Sequence, residues 1–400
     1  MSTFLFVVPP FFGHISPTLS LGASLLAKNH QVIWVGIQPI PEDRIPEGGQ
    51  FIVPHDDLKG YEDEIERILK RQDDGPGVSV IEALKIGLEE TYVPFARFMM
   101  KGLLKIIDTF QPDVIVNDCL AFAGSLGAHI KGIPCATTTP VPPDVVSDEK
   151  TNPSKDTWHG KLIFGLQKEF GITSNHYEIQ SHELNIVFTS EAFANIPQPS
   201  PSLKFVGPVK GRPNEVPFDW DRLRSSQLPK VYITIGTLLV DIRKEYFTKM
   251  IEAFGDQPVT VVAATDPAVI DEWPENFIVQ GFVPQSEVMA NVDAVICHGG
   301  FNTVNDTFWN GLPMVITPIA YDQFHTASLI EHAGCGIKLR YKRLRVSDLR
   351  NALFEVLENK TYREAAQQIR ETFERAGGVE QAVEYLEEMA SVSEELSENT

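Results

Sequence analysis

Residues 297–306 read CHGGFNTVND. His298, Gly299, Gly300, Asn302 and Thr303 in that stretch are poor core builders but good partners for a polar ligand. The apolar run before it, 294–297, predicts a strand, and a helix is expected to begin at Phe301 or Asn302. Two glycines between strand and helix let a ligand approach the backbone without Cβ obstruction. The N–H groups of a first helical turn point outward without partners, with the positive end of the helix dipole behind them, which suits a phosphate. Asn302 and Thr303 add side-chain donors, and His298 adds an imidazole N–H. Hydrogen bonds to a charged acceptor contribute roughly 1.5–3 kcal/mol each, so several could hold a diphosphate without a metal. Asp306 lies one turn beyond Asn302 on the same helical face. A carboxylate beside phosphates repels them, so its place makes sense if it accepts hydrogen bonds from hydroxyls, such as those of a ribose.

A second chemical pair lies in the first third of the chain. His14 follows the apolar run Phe4–Val8 and precedes Ser16-Pro17, which reads as an N-cap and first helical residue. The positive end of that helix would favour a neutral, basic imidazole. Asp118 closes another apolar run, VIVND at 114–118. If the two strands are neighbours, its carboxylate can accept the His14 N–H, fix the tautomer and stabilise the imidazolium, the arrangement used in Ser-His-Asp chemistry. Taken alone, each residue also fits a plainer role, a satisfied loop histidine and a helix cap.

The elements that must hold these residues alternate. Phe4–Val8, 31–37 (QVIWVGI), 114–118, the strand PCATTT and 185–190 (NIVFTS) are short apolar runs of the kind covered on both faces by helices. Leucines at helical spacing fill LSLGASLLAKNH between the first two, an opening βαβ unit. The pattern restarts with VYITIG and continues through VTVVAAT, FIVQGF, AVICHGG and PMVITP, each followed by helical spacing. The 400 residues suit two domains better than one core. The expected division is an N-terminal domain over 1–210, a linker over 211–229, rich in Pro, Gly and charge, and a C-terminal domain over 230–378. A helix over 379–400 then returns to the first domain and ends in an acidic tail. The expected fold class is α/β, two doubly wound, Rossmann-like domains facing across a cleft. In such sheets ligands gather at the carboxyl ends of strands, and every residue singled out above sits at one.

Composition excludes several functions. A formal charge of −20 opposes general nucleic-acid binding. The basic runs 67–71 (RILKR) and 340–345 (RYKRLR) read as solvated faces, with peripheral contact to an anionic lipid surface as the most a membrane would see. Cys119, Cys135, Cys297 and Cys335 are widely spaced, which argues against a zinc site or a disulfide framework and fits a reducing cytoplasm. The apolar start lacks a cationic region and breaks at Pro9-Pro10, so it reads as a strand and not as a signal peptide. No run approaches the ~20 apolar residues of a membrane span. DWD at 219–221 imitates a metal-binding D-x-D but falls in the linker, HDD at 55–57 reads as a surface loop, and the remaining histidines show no zinc spacing. Neither a dinucleotide nor a Walker fingerprint is present.

GFVPQSEV at 281–288, HGGFNTVND at 298–306, GLPMVITP at 311–318 and DQ at 322–323 together resemble the donor-binding signature of nucleotide-sugar glycosyltransferases. The branch is that of plant secondary-metabolite, bacterial macrolide and zeaxanthin glycosyltransferases, with the GT-B fold. With PPFFGH near the N-terminus and the overall length, the resemblance covers most of the chain. It implies Phe282 under the uracil where the family often has Trp, the Val283 backbone at the base edge, and Gln285 beside the nucleoside. It implies His298, Gly300, Asn302 and Thr303 at the diphosphate, and Asp306 in place of a ribose-binding glutamate. Asp322 and Gln323 match the pair on the sugar hydroxyls, and Gly236 and Thr237 match a turn near the β-phosphate. The shorter Asp306 and smaller Phe282 leave the base open between uridine and thymidine, with uridine favoured.

The implied reaction is an inverting, metal-independent transfer of a sugar, glucose first, from a UDP-sugar to a hydroxyl, with His14 as general base and Asp118 assisting. No cofactor beyond the co-substrate is expected. Phe11, Phe12 and Phe95, with the segments near 60–100 and 140–180, point to an apolar hydroxylated acceptor such as a carotenoid, polyketide, flavonoid or sterol-like alcohol. Phe95 reads equally as core. The same architecture could instead carry a nucleotide-sugar hydrolase or epimerase, or a non-catalytic partner protein. The enzyme is expected as a monomer or homodimer, with domains that close on binding.

Overall fold

A computed structural model of the chain describes residues 1–73, 85–143, 156–209, 216–236 and 241–398. Its first half is a seven-stranded parallel sheet: β1 (Thr3–Val7), β2 (Gln31–Val35), β3 (Gln50–Ile52), β4 (Val114–Asp118), β5 (Cys135–Thr139), β6 (Leu184–Val187) and β7 (Leu203–Phe205), in the order β3-β2-β1-β4-β5-β6-β7. The second half is a six-stranded parallel sheet: β8 (Lys230–Thr234), β9 (Thr260–Ala264), β10 (Phe277–Gln280), β11 (Ala294–Cys297), β12 (Met314–Ile316) and β13 (Gly336–Lys338), in the order β10-β9-β8-β11-β12-β13. Both orders are doubly wound, as expected. The central strands are apolar throughout because helices cover both faces: Phe4, Leu5, Phe6 and Val7 are fully buried, as are Val231, Ile233 and Val295. Three edge strands of three residues each, β3, β7 and β13, were not legible as strands.

The register explains how distant residues meet. Phe6 lies opposite Val116 and Val7 opposite Asn117, so the chain leaves β1 beside the end of β4. The helix after β1, α1, runs Phe12–Ala27 with Pro17 inside it. This corrects the expected N-cap at Ser16 and first helical residue at Pro17: the helix begins five residues earlier, at Phe12, and His14 stands in its first turn. A proline in that position has no N–H for the carbonyl four residues back, Gly13.

Two further helices frame the first domain and its exit. α2 (Val93–Phe110) buries Phe95, Phe98 and Leu103 in the core against β1 and β4, and α3 (Trp220–Ser225) is capped by the Asp219 carboxylate, which accepts from the Arg222 N–H at 3.1 Å. The DWD segment is therefore a helix start within the region expected to be an irregular linker. In the second domain α4 (Arg243–Phe254) follows β8, α5 (Gln285–Met289) follows β10, α6 (Phe301–Trp309) follows β11 and α7 (Gln323–His332) follows β12. After α8 (Lys360–Arg375), the last helix, α9 (Gly378–Glu398), lays Ala382, Val383, Leu386 and Ala390 on the first domain's core with Phe4, Phe6 and Trp34. Glu387 on α9 accepts from Lys28 at 2.6 Å and pairs with His30 at 3.0 Å. The second sheet is thus embraced by a chain that ends on the first. Among the described residues no helix is long and apolar enough to cross a membrane, and the four cysteines are free.

Candidate active site

The strand ends of the first sheet bring His14 and Asp118 together. His14 Nδ1 lies 3.0 Å from both carboxylate oxygens of Asp118. The Asp118 side chain has no exposure and also accepts from the Leu120 N–H at 2.9 Å, whereas the His14 side chain keeps 14%. The carboxylate can only accept, so Nδ1 carries the proton and Nε2 keeps the basic lone pair. Phe11 packs edge-on against the imidazole, with ring centroids 6.0 Å apart. Behind the pair lies Cys119, whose thiol burial pushes well above its usual range. Tyr92 completes this wall: burial first, then the nearby Cys119, raise its hydroxyl far above the ordinary tyrosine value. His14, Asp118 and Cys119 bring one ligand atom each within 4.8 Å of one another, but the two acidic groups are spent differently, one on the imidazole and one as a protonated thiol.

The second sheet supplies the turn expected to meet the phosphates. Gly300 caps α6 without a side-chain hydrogen bond, leaving the first-turn amides directed outward. The His298 imidazole is buried beside it, and the close approach is tight: a Cβ on Gly300 would lie 2.8 Å from the ring, and one on Gly236 2.7 Å. Gly236 also has φ +74°, in the left-handed region. Burial first, then the nearby Arg243 charge, hold His298 down at about 4, while the Thr234 carbonyl works the other way. The imidazole is therefore neutral at pH 7 and offers an N–H but no charge. Thr237 lies outside the described residues.

The remaining donor-signature residues sit around that turn, several of them already engaged. Asn302 Nδ2 donates to the Gly13 carbonyl at 2.8 Å, the carbonyl that Pro17 cannot serve. Gln285 donates to Asp306 at 2.6 Å and accepts from the Tyr232 hydroxyl at 3.1 Å, tying the expected ribose and nucleoside residues into one chain of hydrogen bonds. Gln323 is buried, and its amide oxygen accepts from the Ile319 and Ala320 N–H groups at 2.9 and 3.0 Å. Asp322 is the N-cap residue of α7, near His14 of the first domain; burial raises its carboxyl to about 6, against the opposing pull of His14. Thr303 stands in the first turn of α6. Phe282 is 68% exposed and Val283 is buried. Asn305, one helical turn along α6 from Asn302, also ties the two domains: it donates to the Phe188 carbonyl and accepts from the Thr189 hydroxyl, both at 3.0 Å.

On the acceptor side the three aromatics diverge. Phe11 is half-buried beside His14, and Phe12 is 43% exposed with the Arg44 guanidinium 4.5 Å from its ring centroid. Phe95 is only 4% exposed and belongs to the core, so its assignment to an acceptor surface is corrected: at its place in α2 it faces the sheet. The short helix His55–Leu58 replaces the surface loop expected there. Parts of the expected acceptor segments, 74–84 and 144–155, lie outside the described residues. Tyr232, Arg243, Asn305 and Tyr92 went unread in the sequence because each acts through a contact in space that no local spacing announces.

The family model described as UDP-glucoronosyl and UDP-glucosyl transferase matches residues 171–374, a little over half of the chain. Among curated relatives, the NDP-glycosyltransferase YjiC of Bacillus subtilis (strain 168) is 26% identical over 390 residues, covering 94% of this chain and 95% of that protein. Among solved structures, the glycotransferase of kitacinnamycin superposes with a TM-score of 0.78 at 20% identity, covering 97% of this chain and 99% of that one. The spinosyn rhamnosyltransferase SpnG, solved with thymidine diphosphate, superposes with a TM-score of 0.72 at 17% identity over 97% of this chain and all of its own. These structures share the two doubly wound domains of the GT-B fold.

Proposed function

The chain belongs to the UDP-glucoronosyl and UDP-glucosyl transferase family, and from that premise we propose that it moves a glucosyl group from UDP-glucose to a hydroxyl of an apolar small molecule, with inversion and without a metal. The observation that carries this reading is the meeting of two halves: the His14–Asp118 pair on α1 and β4, and the donor helix α6, whose Asn302 reaches the carbonyl next to His14.

In the proposed step His14 Nε2 takes the acceptor proton as the hydroxyl oxygen attacks the anomeric carbon. The C–O bond to the diphosphate breaks on the opposite face, its electron pair leaving on the β-phosphate oxygen, and Asp118 stabilises the imidazolium through Nδ1. The first-turn amides of α6 and the neutral His298 meet the charge on the leaving group. By the match to the family's motif Asp322 and Gln323 would bind the sugar hydroxyls, and Gln323 can donate its NH₂ while its oxygen stays on the 319–320 backbone. Phe11 and Phe12 beside His14 favour an apolar acceptor.

The test is a donor-by-acceptor screen read by mass spectrometry, with UDP- and TDP-glucose against hydrophobic alcohols, phenols and carotenoid diols. A glycoside formed from UDP-glucose supports the reading. Nucleotide release that is equally fast without any acceptor would replace it with a nucleotide-sugar hydrolase, and faster turnover of the TDP-sugar would reassign the base.

A further inference from the structure

The donor signature has a charge deficit. A departing nucleoside diphosphate carries at least two negative charges, yet the stretches 281–288, 298–306, 311–318 and 322–323 contain no Lys or Arg. They contribute Glu287, Asp306 and Asp322 instead, and the one histidine at the turn is held neutral by burial and by a neighbouring cation. Amides and a helix end supply partial charges only. That neighbouring cation is Arg243, the first residue of α4, whose Nη2 donates to the Gly236 carbonyl at 2.8 Å. Gly236 is the turn whose α-carbon lies against the His298 ring. Arg243 therefore stands behind the same few atoms that the phosphates would face, on an element outside the signature.

We propose that Arg243 is the electrostatic anchor of the donor diphosphate: it fixes the Gly236 turn through its carbonyl and supplies the positive charge that the signature lacks. The inference rests on the nucleotide-sugar reading of the site. A guanidinium that donates to a neutral carbonyl keeps its full positive charge, so holding the turn and attracting an anion through the turn are compatible roles. Placed on the protein side of the turn, the charge acts on the ground-state diphosphate and more strongly on the leaving group, as charge gathers on the β-phosphate. It also disfavours a second positive charge at His298, which leaves that ring as a hydrogen-bond donor of fixed protonation across the working pH range.

The experiment compares Arg243→Gln and Arg243→Lys with the wild type in calorimetric binding of UDP and of uridine, alongside melting temperature and kcat. If Arg243 is the anchor, Arg243→Gln weakens UDP by roughly 10- to 100-fold while uridine binding is unchanged, and Arg243→Lys restores a large part of the loss. The UDP affinity of the wild type should fall more steeply with added salt than that of Arg243→Gln. Equal loss of uridine and UDP, or UDP binding unchanged in Arg243→Gln, would overturn the anchor and reduce Arg243 to a structural support of the turn. A wild-type chain that binds neither UDP nor TDP overturns the nucleotide-sugar reading itself, and this inference falls with it.

Discussion

The two parallel sheets have the same winding and each presents chemistry at its central strand ends, but the two sites are prepared differently. In the first, His14 and Asp118 already hold the partners that general-base chemistry needs, at 3.0 Å to both carboxylate oxygens. In the second, the donor-signature side chains hold one another or the backbone: Asn302 the Gly13 carbonyl, Gln285 the Asp306 carboxylate, Gln323 the 319–320 amides. On the proposed reading the base is held in place by Asp118 within its own domain, whereas a bound donor would have to share or exchange these hydrogen bonds. Amide side chains suit that task because each NH₂ carries two donors and can keep one partner while taking another. Pro17 makes the arrangement possible at one point, since it leaves the Gly13 carbonyl without its helical partner and available to the other domain.

If this contrast is right, the sharpest way to separate the two sites is to remove the base. His14→Ala should lower kcat by about 10²–10⁴-fold with UDP affinity unchanged. Loss of UDP binding in that variant would mean that the strand-end sites are not separable. Asp118→Asn preserves shape but no longer enforces the Nδ1–H tautomer, so kcat falls while KM for donor stays within about twofold. A smaller effect, and of the opposite kind, is expected in the second domain. Asp306→Ala should raise the donor KM by roughly 10-fold, the scale of one hydrogen bond to a charged group, with kcat at saturating donor near wild type. A kcat effect equal to that of His14→Ala would break the division between the domains.

How much of this was legible depends on whether burial or space did the work. β4 and β11 were readable because strands covered on both faces are built of apolar runs, and each run gives way to a polar residue that stands out, Asp118 at the end of β4 and His298 directly after β11. The three-residue edge strands β3, β7 and β13 carry too little pattern to register. Ser16-Pro17 imitates a helix start, and only the structure shows the helix running through it from Phe12. Phe11, Phe12 and Phe95 look alike in sequence; what separates them is that α2 turns Phe95 onto the sheet while the first two stand at its end. Arg243 reaches back to the turn after β8, 7 residues away, and Tyr232 reaches a partner 53 residues away in sequence; no spacing rule points to either.

The smallest predicted effect concerns two groups of the second domain whose titrations oppose each other. Asp322 is raised to about 6 from 3.8, so folding favours its protonated form: its penalty is absent below pH ~4 and grows as pH rises through 6. His298 is lowered to about 4 from 6.5, so folding favours its neutral form, and stability is lost as pH falls from 6.5 towards 4. Over that window acidification adds a proton to the folded state at Asp322 and to the unfolded state at His298. The two contributions to the slope of stability against pH therefore nearly cancel in the wild type. Single variants should uncover them in opposite senses: relative to wild type, Asp322→Asn loses stability on acidification from pH 6.5 to 4.5, and His298→Gln gains it. Each difference is expected on the order of 1 kcal/mol after solvent relaxation, a melting shift of about 2–4 °C for a domain of this size. Thermal melts of both variants and the wild type across that range provide the check, and variant curves that run parallel to the wild type would show that neither group is held at a displaced value by the fold.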